Sequence, residues 1–179
     1  MNVRISATLA AFVTLVGACG GGSDGGGSDN GDGGGESGSG LSVDICDTIT
    51  DDDLASIGPL ESAESEVVSD NETVSTISCH YDIAEPLTTI VLQITRLNSE
   101  VARDLDRGAT ETAIDEGRYE PVDTFPVEAV RVVPTGTIRL FLNDSVYADV
   151  AVFAAEDEDR LASDVAEAVL PRLQEHLET

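Results

Sequence analysis

The chain predicts an α+β fold, an antiparallel sheet of about six strands carrying three helices in the order αβββαβββα. Two observations predict it. Several segments place apolar residues at every second position, as in Ile77, Cys79, Tyr81 and Ile83, which is the period of a strand with one buried face. Three other segments space their apolar residues three and four apart or open on a hydroxyl followed by acids, which is the signature of short amphipathic helices. Residues 41–179 suffice for one domain with its own core.

Thr50 followed by Asp51, Asp52 and Asp53 predicts a helix start, with a hydroxyl cap and acids where the helix dipole favours them. Leu54 and Ile57 form its apolar side, and Gly58-Pro59 ends it. The three acids lack the alternating ligands and glycine of a calcium loop. A strand over 64–68 then turns at Asp70-Asn71 into the alternating strand of Ile77, Cys79, Tyr81 and Ile83. Its opposite face is Thr76, Ser78, His80 and Asp82. Thr88–Leu97 reads as a third strand, with Ile90, Leu92 and Ile94 inward.

Asn98-Ser99 caps a second helix reaching about Ala109, with Val101, Ala102, Leu105 and Ala109 as its expected buried stripe. Residues 117–126 read as loop. A strand over 127–133 stops at Pro134-Thr135-Gly136, and segments 137–142 and Val146–Phe153 form a hairpin. A three-residue loop gives that hairpin one coherent apolar face: Leu142 opposite Val146, Leu140 opposite Ala148, Ile138 opposite Val150. The other face then pairs Phe141 with Tyr147 and Arg139 with Asp149. A last helix from about Asp157 carries the ladder Leu161, Val165, Val169, Leu173 and Leu177, supported by Ala162, Ala166 and Leu170. Pro171 within it predicts a kink or short break.

Ahead of this domain, residues 1–18 place Arg4 before a largely apolar run over 5–16, then small residues up to Cys19. The run is too short to span a bilayer, which takes about 20 residues. Charged start, apolar core and small-residue site are the parts of a signal peptide. The ending Val16-Gly17-Ala18-Cys19 resembles the lipobox of bacterial lipoproteins, which implies lipidation at Cys19 and an extracytoplasmic, membrane-anchored address. Residues 19–40 follow as a tether, with twelve glycines among residues 20–40. Its composition is that of a flexible coil with a root-mean-square reach of about 25 Å. No strand, helix or lysine accompanies these glycines, so they do not read as a phosphate loop.

With Cys19 used by lipid, Cys46 and Cys79 remain as an expected disulfide, closing a loop worth about 4 kcal/mol in the chain-entropy model. The cations are nine arginines against 35 acids, a net charge of −26. Such a surface excludes nucleic acid as a partner. It favours cations and basic proteins, although an acidic, lysine-free surface equally serves solubility.

The lipobox, the tether, the run from Asp44 through Ile45, Cys46, Asp47, Thr48 and Ile49 to Thr50, and Cys79-His80-Tyr81 together resemble a family of actinobacterial lipoproteins. The domain of that family has no assigned function. The family shows a cysteine before the first helix and a second one two residues before an aromatic, usually Trp, where this chain has Tyr81. Phe125-Pro126-Val127-Glu128-Ala129 departs from its usual glycine-rich acidic turn. The resemblance implies a six-stranded α+β domain similar in outline to PsbP-like lipoproteins, and implies no enzymatic activity.

The functional expectation is a non-enzymatic module for an envelope protein or small ligand, monomeric, with no cofactor and no metal site. Its candidate binding face is the outward side of the sheet: His80, Gln93, Arg139, Phe141, Tyr147, Asp149 and Phe153. Two alternatives stand beside it. A hydrolase would have to use His80 or His176, and neither has a recognisable nucleophile nearby in sequence. A cation site would fall on Glu156-Asp157-Glu158-Asp159, which reads better as an acidic first turn of helix. A helix covering the outward face would make its aromatics ordinary core.

Overall fold

The computed structural model describes residues 41–42, 44–84, 88–154 and 158–177. The signal peptide, Cys19 and the tether lie outside the described residues, as do Glu156 and Asp157.

The fold is α+β with one antiparallel sheet. Its elements are α1 (Asp44–Asp47), α2 (Asp51–Leu54), β1 (Leu60–Asp70), β2 (Val74–Ile83), β3 (Thr88–Leu97), α3 (Glu100–Asp115), β4 (Tyr119–Pro121), β5 (Ala129–Val132), β6 (Thr137–Asn143), β7 (Val146–Phe153) and α4 (Glu158–Leu177). Among the described residues there are therefore seven strands and four helices, one more of each than expected. The sheet order is β1-β2-β3-β7-β6-β5-β4, every neighbouring pair antiparallel.

The alternation in β2, β3, β6 and β7 buries one face completely. Ile77, Cys79, Tyr81, Ile90, Leu92, Ile94, Ile138, Leu140, Ala148 and Val150 pack there against Ile45 and Leu54 from the first helices and Val165, Val169 and Leu173 from α4. Burial at this density supplies the main stabilisation, about 25 cal/mol per Å² of apolar surface. α4 follows its predicted ladder and runs unbroken through Pro171.

The extra elements have local causes. The expected first helix is the short α2, whose end is marked by Ile57 and Gly58 both donating to the Leu54 carbonyl, and α1 is an added turn ahead of it. Cys46 on α1 is held by its bond to Cys79 on β2, with the Cα atoms 5.5 Å apart. β1 is longer than the expected 64–68. It lies at the sheet edge, where most of its residues are exposed and no burial period marks its ends. β4 falls inside the expected loop and is too short to show a period.

The second helix does not stop near Ala109. It ends where Gly117, at φ 69°, donates to the Ile114 carbonyl while Arg118 donates to that of Ala113. That pair of bonds is a glycine-terminated helix end, and only glycine enters the left-handed region freely.

Its buried stripe is also different. Ala102, Thr110 and Ala113 are buried, whereas Val101 is 68% and Leu105 70% exposed. The reason is the surface below. α3 lies on the opposite sheet face from the other helices, packing on β3 and β4, and that face is polar. The small side chains of Ala102, Thr110 and Ala113 let α3 lie close over that polar face, which brings Asp106 to 3.6 Å from the guanidinium of Arg139.

The hairpin register is as predicted through Ile138↔Val150, Arg139↔Asp149, Leu140↔Ala148 and Phe141↔Tyr147. At the tip Val146 faces Asn143, with Leu142 bulged out of register, so the loop is the two residues Asp144-Ser145. Asn143 decides this: its Oδ1 accepts from the Ser145 amide at 2.9 Å and the Ser145 hydroxyl at 3.0 Å.

Candidate functional site

The strand registers put all seven candidate face residues on the outer side of the sheet. Ser78, Gln93, Asp149 and Arg139 run across it in one row, and Thr95, Tyr147 and Phe141 in the next. His80 lies in the row of Val91 and Ala151, and exposed Phe153 sits opposite Thr89.

α3 divides this face. Under it, Arg139 Nε donates to Asp149 Oδ1 at 2.7 Å and Nη2 to Oδ2 at 2.9 Å, a two-pronged pair. Its Nη1 lies 3.6 Å from Asp106 Oδ1 on the helix. The guanidinium stacks 4.1 Å from the Tyr147 ring centroid and 5.8 Å from that of Tyr119. Burial works against the guanidinium charge, but the Asp149 carboxylate outweighs it and holds the Arg139 pKa above its ordinary value. Asp106 is pushed up by burial, pulled back by Arg139 and pushed up again by Asp149, with a net rise. Tyr147 is likewise raised by burial against the pull of Arg139.

A groove opens on each side of the helix. One, of about 380 Å³, has Phe141, Tyr147, Arg103, Arg107 and Glu111 on its walls. The other, of about 560 Å³, has Leu105, Ala109, Arg118, Tyr119 and Arg139. Both volumes fall in the range of small-molecule clefts.

His80 lies apart from this cluster. Its Nε2 is 3.0 Å from the Ser78 hydroxyl and 3.9 Å from Glu66 Oε1. The Ser78 contact is one that sequence reasoning missed, although residues two apart on a strand share a face. In a hydrolytic triad the nucleophile and the orienting acid take opposite ring nitrogens. Here both neighbours meet Nε2, and Ser78 is buried.

Sequence reasoning also missed Asp106 and Tyr119. Asp106 fell outside the expected buried stripe, and Tyr119 in a stretch read as loop; neither carries a local signal that points to Arg139. Cys46 and Cys79 are joined as expected, while Cys19 lies outside the described residues. Glu156 and Asp157 of the acidic run lie outside them too. Among the described residues no group of three or more His, Cys, Asp or Glu is arranged to hold a metal ion.

Searched against family models, curated proteins and solved structures, the chain matches none.

Proposed function

We propose that this chain is a lipoprotein anchored through Cys19 on the outer side of a bacterial cell membrane, whose domain binds a partner non-covalently and catalyses nothing. The observation that carries the binding reading is the state of the charges on the outer face. Arg139, Asp149 and Asp106 are committed to one another, and aromatic rings cover the guanidinium. Groups spent on mutual pairing frame a surface; they do not leave a base or nucleophile poised over a substrate. The grooves beside α3 and the uncovered stretch from His80 to Phe153 are the surfaces this arrangement offers.

The address rests on the order of Arg4, the apolar run and Val16-Gly17-Ala18-Cys19, together with the resemblance to actinobacterial lipoproteins. The Cys46–Cys79 bond fits an oxidising compartment. Metabolic labelling with a palmitate analogue, followed by membrane fractionation, tests it. The native chain takes the label and sediments with membranes, while the Cys19→Ala variant does neither. Label retained by Cys19→Ala would refute the anchor.

A further inference from the structure

The two edges of the sheet differ in how they are finished. β4 is three residues long and ends in Pro121, which has no amide hydrogen to offer a neighbouring strand. β1 is eleven residues long with no proline, and among the described residues it pairs only with β2. Bulges interrupt its pairing between Leu60 and Ser62 and between Val67 and Ser69. Between them, Ser62 to Val67 keep a regular register and present an unpaired backbone rim about 20 Å long.

The side chains of this rim are sorted by face. Glu64 opposite His80 and Glu66 opposite Ser78 lie on the outer face. Ala63 opposite Tyr81, Ser65 opposite Cys79 and Val67 opposite Ile77 lie on the inner one. Along its whole length the strand carries Glu61, Glu64, Glu66 and Asp70 and no arginine. Val67 is 58% and Val68 52% exposed.

A second copy of the same strand would set carboxylate against carboxylate, which is destabilising at cross-strand positions. An acidic membrane surface is repelled for the same reason. The occupant that complements the edge is an extended segment with cations spaced two residues apart and apolar side chains between them.

We propose that β1 is a docking edge for a basic, extended peptide segment of another protein, which adds an eighth strand beside residues 62–67. Backbone bonds along the rim supply register, and the partner's Lys or Arg side chains pair with Glu64 and Glu66. Ala63, Ser65 and Val67 leave room on the inner face for the apolar side chains between them. The net charge of −26 steers such a segment toward the domain. This edge is a surface apart from the grooves beside α3 and goes beyond the binding reading above; it does not depend on the lipid anchor.

The test uses the full chain in detergent, with a synthetic heptapeptide of alternating Lys and Val as probe and its Glu–Val counterpart as control. Binding is read by calorimetry, and its location by amide hydrogen exchange. The expected result is binding of the Lys–Val peptide that weakens with salt, with new protection confined to the alternate amides of residues 62–67 that do not bond to β2. The double variant Glu64→Lys, Glu66→Lys, both exposed positions, then binds it about tenfold more weakly or worse and takes up the Glu–Val peptide instead.

Protection elsewhere, or equal binding by the charge-reversed variant, would overturn the proposal. So would a free protein in which the rim-facing amides of residues 62–67, those not bonded to β2, are already protected, whether by its own residues 20–40 or by dimerisation seen in sedimentation. Failure of the Lys–Val peptide with normal palmitate labelling would remove the edge and leave the anchored address standing; the converse outcome would do the opposite.

Discussion

The Tyr81 hydroxyl donates to the Cys46 carbonyl across 2.8 Å, two residues beyond the cysteine to which Cys46 is bonded. Strand period places Tyr81 on the same inward face as Cys79, so the phenol meets the disulfide from the sheet side. Burial drives its pKa up, and the Asp47 carboxylate adds to the rise. Tyr81 therefore stays protonated and donating throughout the physiological range. The hydrogen bond and the disulfide hold one short helical turn, α1, against the core.

Tyr81→Phe leaves the Cys46 carbonyl with only the longer bond from the Ile49 amide, at 3.4 Å, and is expected to cost about 1 kcal/mol. Replacing Cys46 and Cys79 by alanine is expected to cost about 4 kcal/mol. The combined variant should lose less than the sum, because the two interactions secure the same turn. Urea unfolding at neutral pH measures all three; full additivity would mean the phenol and the disulfide act independently.

Arg139 should be far less replaceable than its surface position in the sequence suggests. Arg139→Ala leaves Asp149 and Asp106 facing each other beneath α3, at an expected cost of about 3–5 kcal/mol. Arg139→Lys restores the charge but not the two-pronged geometry, so it recovers only part of the loss. In a double-mutant cycle, removing Asp149 as well should cost less than the two single changes together. A denaturation series reporting simple additivity would contradict the pairing.

Two aspartates should respond to acid in opposite directions. Asp53 is raised by burial, but hydrogen bonds from the Thr50 amide and hydroxyl and from Arg172 outweigh that and lower it. Its contribution is present above the unfolded value of about 3.9 and is lost as pH falls through the lower folded value. Asp106 is raised, so its ionised form weakens the fold at neutral pH, and protonation relieves this as pH falls through the raised value. Asp106→Asn should therefore raise the unfolding midpoint at pH 7 and lose that advantage near pH 3. Asp53→Asn should lower the midpoint at pH 7, with the deficit fading in acid.

Glycine substitutions separate backbone demand from helix propensity. Gly136 has φ 67°, and a Cβ there would collide with the Asp159 carboxylate at the start of α4. Gly136→Ala is expected to lose more than about 1 kcal/mol. Gly108 lies inside α3 with open space around it, and Gly108→Ala should gain about 0.5–1 kcal/mol. Thermal melts of the two variants moving in the same direction would disprove this contrast.

The sequence by itself determined the inward face of the sheet, the disulfide partners, the hairpin register from Ile138 to Phe141 though not its tip, and the ladder of α4. Each is written in a repeat of two, three or four residues, or in a count of cysteines, and burial on one side is enough to enforce it. The edge elements were less legible. β1 buries too little to leave a period, and β4 is three residues long.

The tertiary structure alone decided which way α3 faces. Its sequence offers an apolar stripe at Val101 and Leu105 and a small, acidic side at Ala102, Asp106 and Thr110, and helical spacing by itself favours burying the first. The choice is made by residues distant in the chain: Ala102, Thr110 and Ala113 are small enough to lie over the polar sheet face that carries Arg139 and Asp149, and Asp106 comes within 3.6 Å of Arg139 as a result. A requirement set by a partner so distant in the chain has no local trace. The same holds for the rim of β1: strand period shows which residues alternate, but only the order of strands shows that among the described residues β1 is an edge strand.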